Sequence, residues 1–209
     1  MKAKLIKINP DNPQQNKIDE VVQLLKKGGV IIYPTDTVYG IGCDIFNNKA
    51  VERVCRLRTI NPAKINLSFI CYDLSDISKY TSSLHTAVFK VMKKALPGPF
   101  TFVLNASNKV PRILNTKKNT VGIRVPNHNI PRLLVKELGN PIITASLKDD
   151  DELLEYTVDP ELMYEKYINL VDAVIDGGAG GIKPSTIVDF TSGEAEILRE
   201  GLGNIEEFI

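Results

Sequence analysis

The sequence predicts an α/β fold. Short apolar runs of strand length alternate with longer segments of helical periodicity from one end of the chain to the other. The chain has 209 residues, 43% of them apolar and 24% charged, which is enough to bury a core as one domain spanning residues 1–209. No internal repeat, low-complexity tract or Pro/Ser-rich linker divides it.

Residues 4–8 read as a strand. Ile18, Val21, Val22 and Leu25 have helical spacing, and Gly28-Gly29 ends that helix. Residues 30–33 form a buried strand running into Pro34. Ala50, Val51 and Val54 start a helix that carries Arg53, Arg56 and Arg58, and residues 67–71 are a strand. Leu84, Val88, Val91, Met92 and Ala95 make an amphipathic helix stopped by Pro97-Gly98-Pro99. Residues 100–104 and 121–125 are strands, 130–138 a helix ended by Gly139, and 141–144 lead into another strand. A helix at 160–167 and strands at 173–175, 186–188 and 196–198 complete the sheet. Residues 149–155, rich in acids, read as an exposed, mobile loop.

Composition excludes several classes of function. The longest apolar runs are only a few residues, so no membrane span or membrane partner is expected. The N-terminus carries lysines where a signal peptide needs an apolar stretch. Cys43, Cys55 and Cys71 are odd in number and form no C-x-x-C, which predicts structural thiols in a reducing cytoplasm. With only His85 and His128 besides, no metal ligands and no protein-bound transition metal are expected.

The net charge of +1 hides an uneven distribution. Residues 77–136 carry 11 basic residues and no acid, whereas 137–209 carry 4 basic and 17 acidic ones. Sixty residues without a carboxylate fit a surface that meets phosphates or nucleic acid. They fit a solvated lysine face balanced by acids folded nearby equally well.

Several motifs lie at strand ends. Tyr33-Pro34-Thr35-Asp36-Thr37-Val38-Tyr39-Gly40-Ile41-Gly42 lies just after a buried strand and could shape a small polar pocket or a structural turn. Arg56 and Arg58 diverge by about 200° if the helix continues through them. If it ends there, both can turn toward one anion, with Lys64 as a third cation. Arg124 sits inside an otherwise apolar strand and needs a partner, either an anionic ligand or an internal carboxylate. The absence of acids around it favours the ligand. Gly177-Gly178-Ala179-Gly180-Gly181 is not a P-loop, since Ile182 and Pro184 stand where that motif needs Gly and Ser/Thr. It reads as a flexible turn.

Taken in order, these motifs resemble the YrdC/YciO family over nearly the whole chain. The set comprises Gly28-Gly29-Val30, the Pro34–Gly40 motif, Arg56-Leu57-Arg58, Pro97-Gly98-Pro99-Phe100-Thr101 and Thr120-Val121-Gly122-Ile123-Arg124-Val125-Pro126. Ser146, Ser185-Thr186-Ile187-Val188-Asp189 and Leu198-Arg199-Glu200-Gly201 complete it. The opening Asn9-Pro10-Asp11-Asn12-Pro13 and the Arg-x-Arg are most similar to the YciO branch.

The resemblance implies a YrdC/RibB-like single-domain twisted mixed sheet with flanking helices and a concave basic cavity. It implies an L-threonylcarbamoyladenylate synthase-like nucleotidyltransferase, turning threonine, bicarbonate and ATP into threonylcarbamoyl-AMP and pyrophosphate for the threonylcarbamoyladenosine modification of tRNA. Thr37, Arg124, Ser146 and Ser185 would then bind threonine. Arg56, Arg58, Lys64, Thr120 and Arg199 would bind ATP, with Mg²⁺ accompanying the nucleotide. Arg56, Arg58 and Ser146 would act at the reacting groups. The synthase's Lys-x-Arg is Arg56-Leu57-Arg58 here, its Lys-Pro-Leu has become Lys64-Ile65-Asn66-Leu67, and its Ser-x-Asn is Ser146-Leu147-Lys148. These differences point to the alternative the family also offers, a double-stranded RNA or tRNA binding protein with the same fold and little or no synthase activity.

Overall fold

Strand β2, Ile31–Tyr33, shows how the sheet is covered. Its side chains alternate, so Ile32 enters one apolar layer while Ile31 and Tyr33 enter the other. The same alternation divides Phe69 from Ile70 and Ile143 from Ile142. Both faces of the sheet are therefore buried, which is why these strands read as unbroken apolar runs. The computed structural model describes residues 2–59, 67–114, 119–147 and 157–209.

The remaining strands are β1 (Lys4–Lys7), β3 (Gly40–Gly42), β4 (Ser68–Ile70), β5 (Phe100–Asn105), β6 (Thr120–Arg124), β7 (Ile142–Ser146), β8 (Ala173–Asp176), β9 (Thr186–Asp189) and β10 (Glu196–Arg199). Among the described residues they form one mixed sheet in the order β1-β8-β2-β3-β7-β4-β6-β5-β9-β10. The helices are α1 (Gln15–Lys26), α2 (Asn48–Leu57), α3 (Leu74–Tyr80), α4 (Thr86–Ala95), α5 (Asn129–Leu138) and α6 (Pro160–Tyr167). Helices α1 and α5 cover one face through Ile18, Val22, Leu25, Leu134 and Leu138; α2, α3, α4 and α6 supply the layer on the other. Burying each such side chain contributes about 1.5–3 kcal/mol against the entropy of ordering the chain.

The α/β expectation holds, with two additions. Helix α3 is capped by the Asp73 carboxylate, which accepts from the Ser75 and Asp76 amides at 2.8 and 3.2 Å. Strand β3 lies inside the segment read as a pocket or turn. Its two glycines hide it from any side-chain pattern, and the sheet requires them. A Cβ on Gly42 would lie 1.9 Å from the Ile143 carbonyl oxygen. Gly139 ends α5 with φ at 86°, the left-handed conformation that favours glycine.

No helix among the described residues is long and apolar enough to cross a membrane. Cys43, Cys55 and Cys71 are free and buried, and burial pushes all three thiols up from their ordinary pKa. Lys64, Lys117, Lys118, Lys148 and the 149–155 segment lie outside the described residues.

Candidate active site

A cleft of about 340 Å³ opens over the middle of the sheet. Its floor forms where β3, β7, β4 and β6 meet. Gly40 pairs with Ser146, and Ser68 lies between Gly122 on one side and Thr144 on the other. Hydroxyls alternate here with bare backbone, and the glycines are needed: a Cβ on Gly122 would lie 2.2 Å from Ser68 Oγ.

Three arginines reach the cleft from separate elements. Arg58 is the residue at which α2 ends. Freed from the helical path, its Nη1 donates to the Leu147 carbonyl at 3.5 Å, beside Ser146. Arg199 ends β10, and its Nη2 donates to the Ser185 carbonyl at 2.8 Å and its Nε to the same oxygen at 3.3 Å. Ser185 Oγ in turn lies 2.9 Å from Thr101 Oγ1. Arg124 closes β6 and is only 6% exposed. Among the described residues the cleft lining contains no aspartate or glutamate.

Arg124 corrects one expectation. Its partner is an internal carboxylate: Nη2 donates to Asp36 Oδ1 at 2.9 Å and to Thr37 Oγ1 at 3.0 Å. Asp36 lies 88 residues away in sequence, so the acid-free surroundings said nothing about it. Desolvation draws the Arg124 pKa down, and the Asp36 charge works against that. Nε of Arg124 is buried with no hydrogen-bond partner among the described residues. A buried donor left unpaired is costly, so an acceptor arriving in the cleft has something to gain there.

The hydroxyl network beneath Arg124 has a fixed direction. Thr35 Oγ1 donates its single proton to the Val38 carbonyl at 2.8 Å. In its 3.1 Å contact with Thr37 it must therefore accept, and Thr37 is the donor. Thr37, 1% exposed, accepts from Arg124 with its oxygen and spends its proton on Thr35.

The glycine-rich segment is the buttress of this network. The Gly181 amide donates to the Thr37 carbonyl at 2.8 Å, and a Cβ on Gly181 would lie 2.4 Å from that oxygen. A Cβ on Gly180 would lie 2.6 Å from the Tyr39 ring and one on Gly177 would lie 2.6 Å from Pro34 Cγ. The glycines permit close packing against residues 34–39, a tighter role than the flexible turn expected from composition.

The structure thus brings Arg58, Arg124, Ser146, Ser185 and Arg199 together around one cleft. Thr37 touches the site through Arg124. Arg56 is exposed and, like Thr120, is not among the lining residues, so Arg56 and Arg58 do not turn toward one point. Sequence reasoning missed Asp36, Ser68 and Thr144 as site residues. Asp36 was visible only as one member of the Pro34–Gly40 motif. Of the described residues in the basic run at 77–136, Arg124 is the one basic residue that lines the cleft; Lys90, Lys93 and Lys94 are exposed on α4. The cleft draws its charge from α2, β6 and β10.

The sequence profile of the Sua5/YciO/YrdC family, described as "Telomere recombination", matches residues 23–201. The chain belongs to the Sua5/YciO/YrdC family. It is 41% identical over 204 residues to YciO of Escherichia coli (strain K12), covering 97% of each chain. It superposes on the E. coli YciO crystal structure with a TM-score of 0.91, 39% identity and coverage of 99% and 100%. A threonylcarbamoyl-AMP synthase of Coxiella burnetii is 32% identical over 185 residues, 87% of this chain and 96% of that one. The P. abyssi Sua5 structure, complexed with L-threonine, matches with a TM-score of 0.87 and 25% identity over 97% of this chain and 59% of the longer one.

Proposed function

We propose that the chain is a threonylcarbamoyl-AMP synthase-type nucleotidyltransferase whose cleft takes L-threonine, bicarbonate and ATP. The observation that carries this reading is Arg124: a buried guanidinium on the cleft wall, held by Asp36 and Thr37, with an unpartnered Nε. An amino-acid carboxylate suits that donor, and Ser146 and Ser185 add hydroxyls for the rest of the molecule. Arg58 and Arg199 serve the phosphates of ATP. Arg56 and Thr120 remain outer candidates on the nucleotide side, and Lys64, outside the described residues, is a further candidate.

Threonine nitrogen and bicarbonate combine with loss of water to a carbamate. A carbamate oxygen then attacks the α-phosphorus, the bond to the β,γ-unit breaks, and pyrophosphate leaves. No protein nucleophile is needed. Charge neutralisation by arginines and positioning by hydroxyls are the contributions the chain can make. Among the described residues no three or more His, Cys, Asp or Glu are grouped to hold a metal ion. Magnesium enters as part of the ATP substrate.

The test is pyrophosphate release from ATP with threonine and bicarbonate both present, and with each omitted. Release that needs both supports the synthase; release indifferent to threonine removes it. A second reading, double-stranded RNA or tRNA binding in the cytoplasm without synthase activity, is favoured by the exposed Lys90, Lys93 and Lys94 of α4, which lie outside the lining of this cleft.

A further inference from the structure

Asp36 is placed unusually for a residue beside an anion-binding arginine. Its side chain is 10% exposed and that of Arg124 is 7% exposed, so water screens the pair little. Both oxygens are committed: Oδ1 accepts from Arg124 Nη2 at 2.9 Å and Oδ2 from the Asn127 amide at 3.0 Å. The Asn127 bond fixes the carboxylate where β6 has just ended, so Asp36 cannot swing away from Arg124 without abandoning a backbone amide. Arg124 therefore presents to the cleft a charge already cancelled from behind. Asp36 stands outside the lining, and among the described residues no carboxylate lines the cleft.

We propose that Asp36 is the specificity-determining residue of the amino-acid end of the cleft. By neutralising Arg124 it shifts selectivity toward a zwitterion and away from an anion with the same carboxylate and no ammonium. The inference rests on the amino-acid reading above. The electrostatic argument is direct. A bare carboxylate approaching Arg124 is attracted by the guanidinium and repelled by Asp36 just behind it, and most of the gain is cancelled. An amino acid brings a dipole of its own. Its carboxylate and ammonium feel the Asp36 charge with opposite signs, so Asp36 costs the zwitterion little and the bare anion much. A lone arginine favours the anion strongly; a buried arginine–aspartate pair favours it far less. Asp36 acts through Arg124 and through charge, and touches no reacting atom.

The experiment compares two ligands of the same shape, L-threonine and (2S,3R)-2,3-dihydroxybutanoate, in which a hydroxyl replaces the ammonium. Calorimetry should give a ratio of L-threonine to anion affinity at least about tenfold higher in the parent than in Asp36→Asn, with the anion binding more tightly to the variant. An unchanged ratio in Asp36→Asn overturns the specificity role and leaves the amino-acid reading standing. A parent that binds neither ligand overturns the amino-acid reading itself. A second measurement serves even if the variant folds poorly. Asp36→Ala leaves Arg124 without its counter-ion, so acetate should raise the melting temperature of Asp36→Ala and not that of the parent, while acetamide should raise neither. Acetate without effect on Asp36→Ala shows that Asp36 is not the charge partner that matters, and the proposal falls.

Discussion

The Tyr39 hydroxyl donates to the Gly178 carbonyl at 2.7 Å and accepts from the Gly177 amide at 3.2 Å, so one phenol on the cleft wall pins the turn behind it. Burial lifts the Tyr39 pKa to about 12, and the hydroxyl stays a donor over the ordinary pH range. Tyr39→Phe leaves a carbonyl and an amide unpaired at a cost of about 1–3 kcal/mol. For a chain of this size that lowers the melting temperature by roughly 2–10 °C, read by calorimetric scanning. An unchanged melting temperature would show that the glycine turn holds itself.

Arg58→Ala should weaken ATP binding far more than threonine binding. A charge-assisted hydrogen bond to phosphate oxygens is worth about 1.5–3 kcal/mol, or roughly 10- to 150-fold in affinity. Titration of each ligand into the variant separates the two. Equal losses for both would move Arg58 from the nucleotide to a general structural role through its hydrogen bond to Leu147.

How much of this site could be read from the chain depends on the range of each interaction. Helix α5 was legible because Ile130, Leu134, Val135 and Leu138 mark one face and Gly139 stops it. The end of α2 mattered too: once it stops at Leu57, Arg58 is released to the cleft and Arg56 is left facing solvent. What sequence could not supply was pairing between distant segments. Nothing local joins Asp36 to Arg124 or Gly181 to Thr37, and β3 carries no side-chain signal because its glycines exist to let Ile143 and Tyr33 approach. The ordered motifs identified the family. The charge balance of the cleft needed the fold.

If the chain also binds duplex RNA, the exposed lysines of α4 should carry it by counterion release. Lys93→Ala/Lys94→Ala should then reduce the slope of log affinity against log salt by roughly 0.7–0.9 for each phosphate no longer neutralised. With few aromatics in the chain, little preference between a duplex and its scramble is expected. A salt series on both proteins decides it. A parent without salt dependence, or with strong sequence preference, removes the electrostatic reading.

His128 should make the protein less stable in mild acid. Its Nδ1 caps α5 by accepting from the Ile130 amide at 3.3 Å, which requires the unprotonated ring nitrogen. Burial lowers its pKa below the ordinary 6.5, opposed in part by the charges of Asp36 and Asp11. The sign follows from proton uptake. Between the depressed folded value and 6.5 the unfolded chain binds the proton more readily than the folded one. The contribution is therefore fully present above pH 6.5 and is lost as pH falls through the folded value. His128→Asn keeps a capping acceptor and removes the titration. His128→Ala also removes the cap, at about 0.5–2 kcal/mol where the parent's ring is unprotonated. Urea midpoints at about pH 7 and pH 5 should show a larger fall for the parent than for His128→Asn. If both fall equally, other groups carry the acid sensitivity and His128 serves only as a cap.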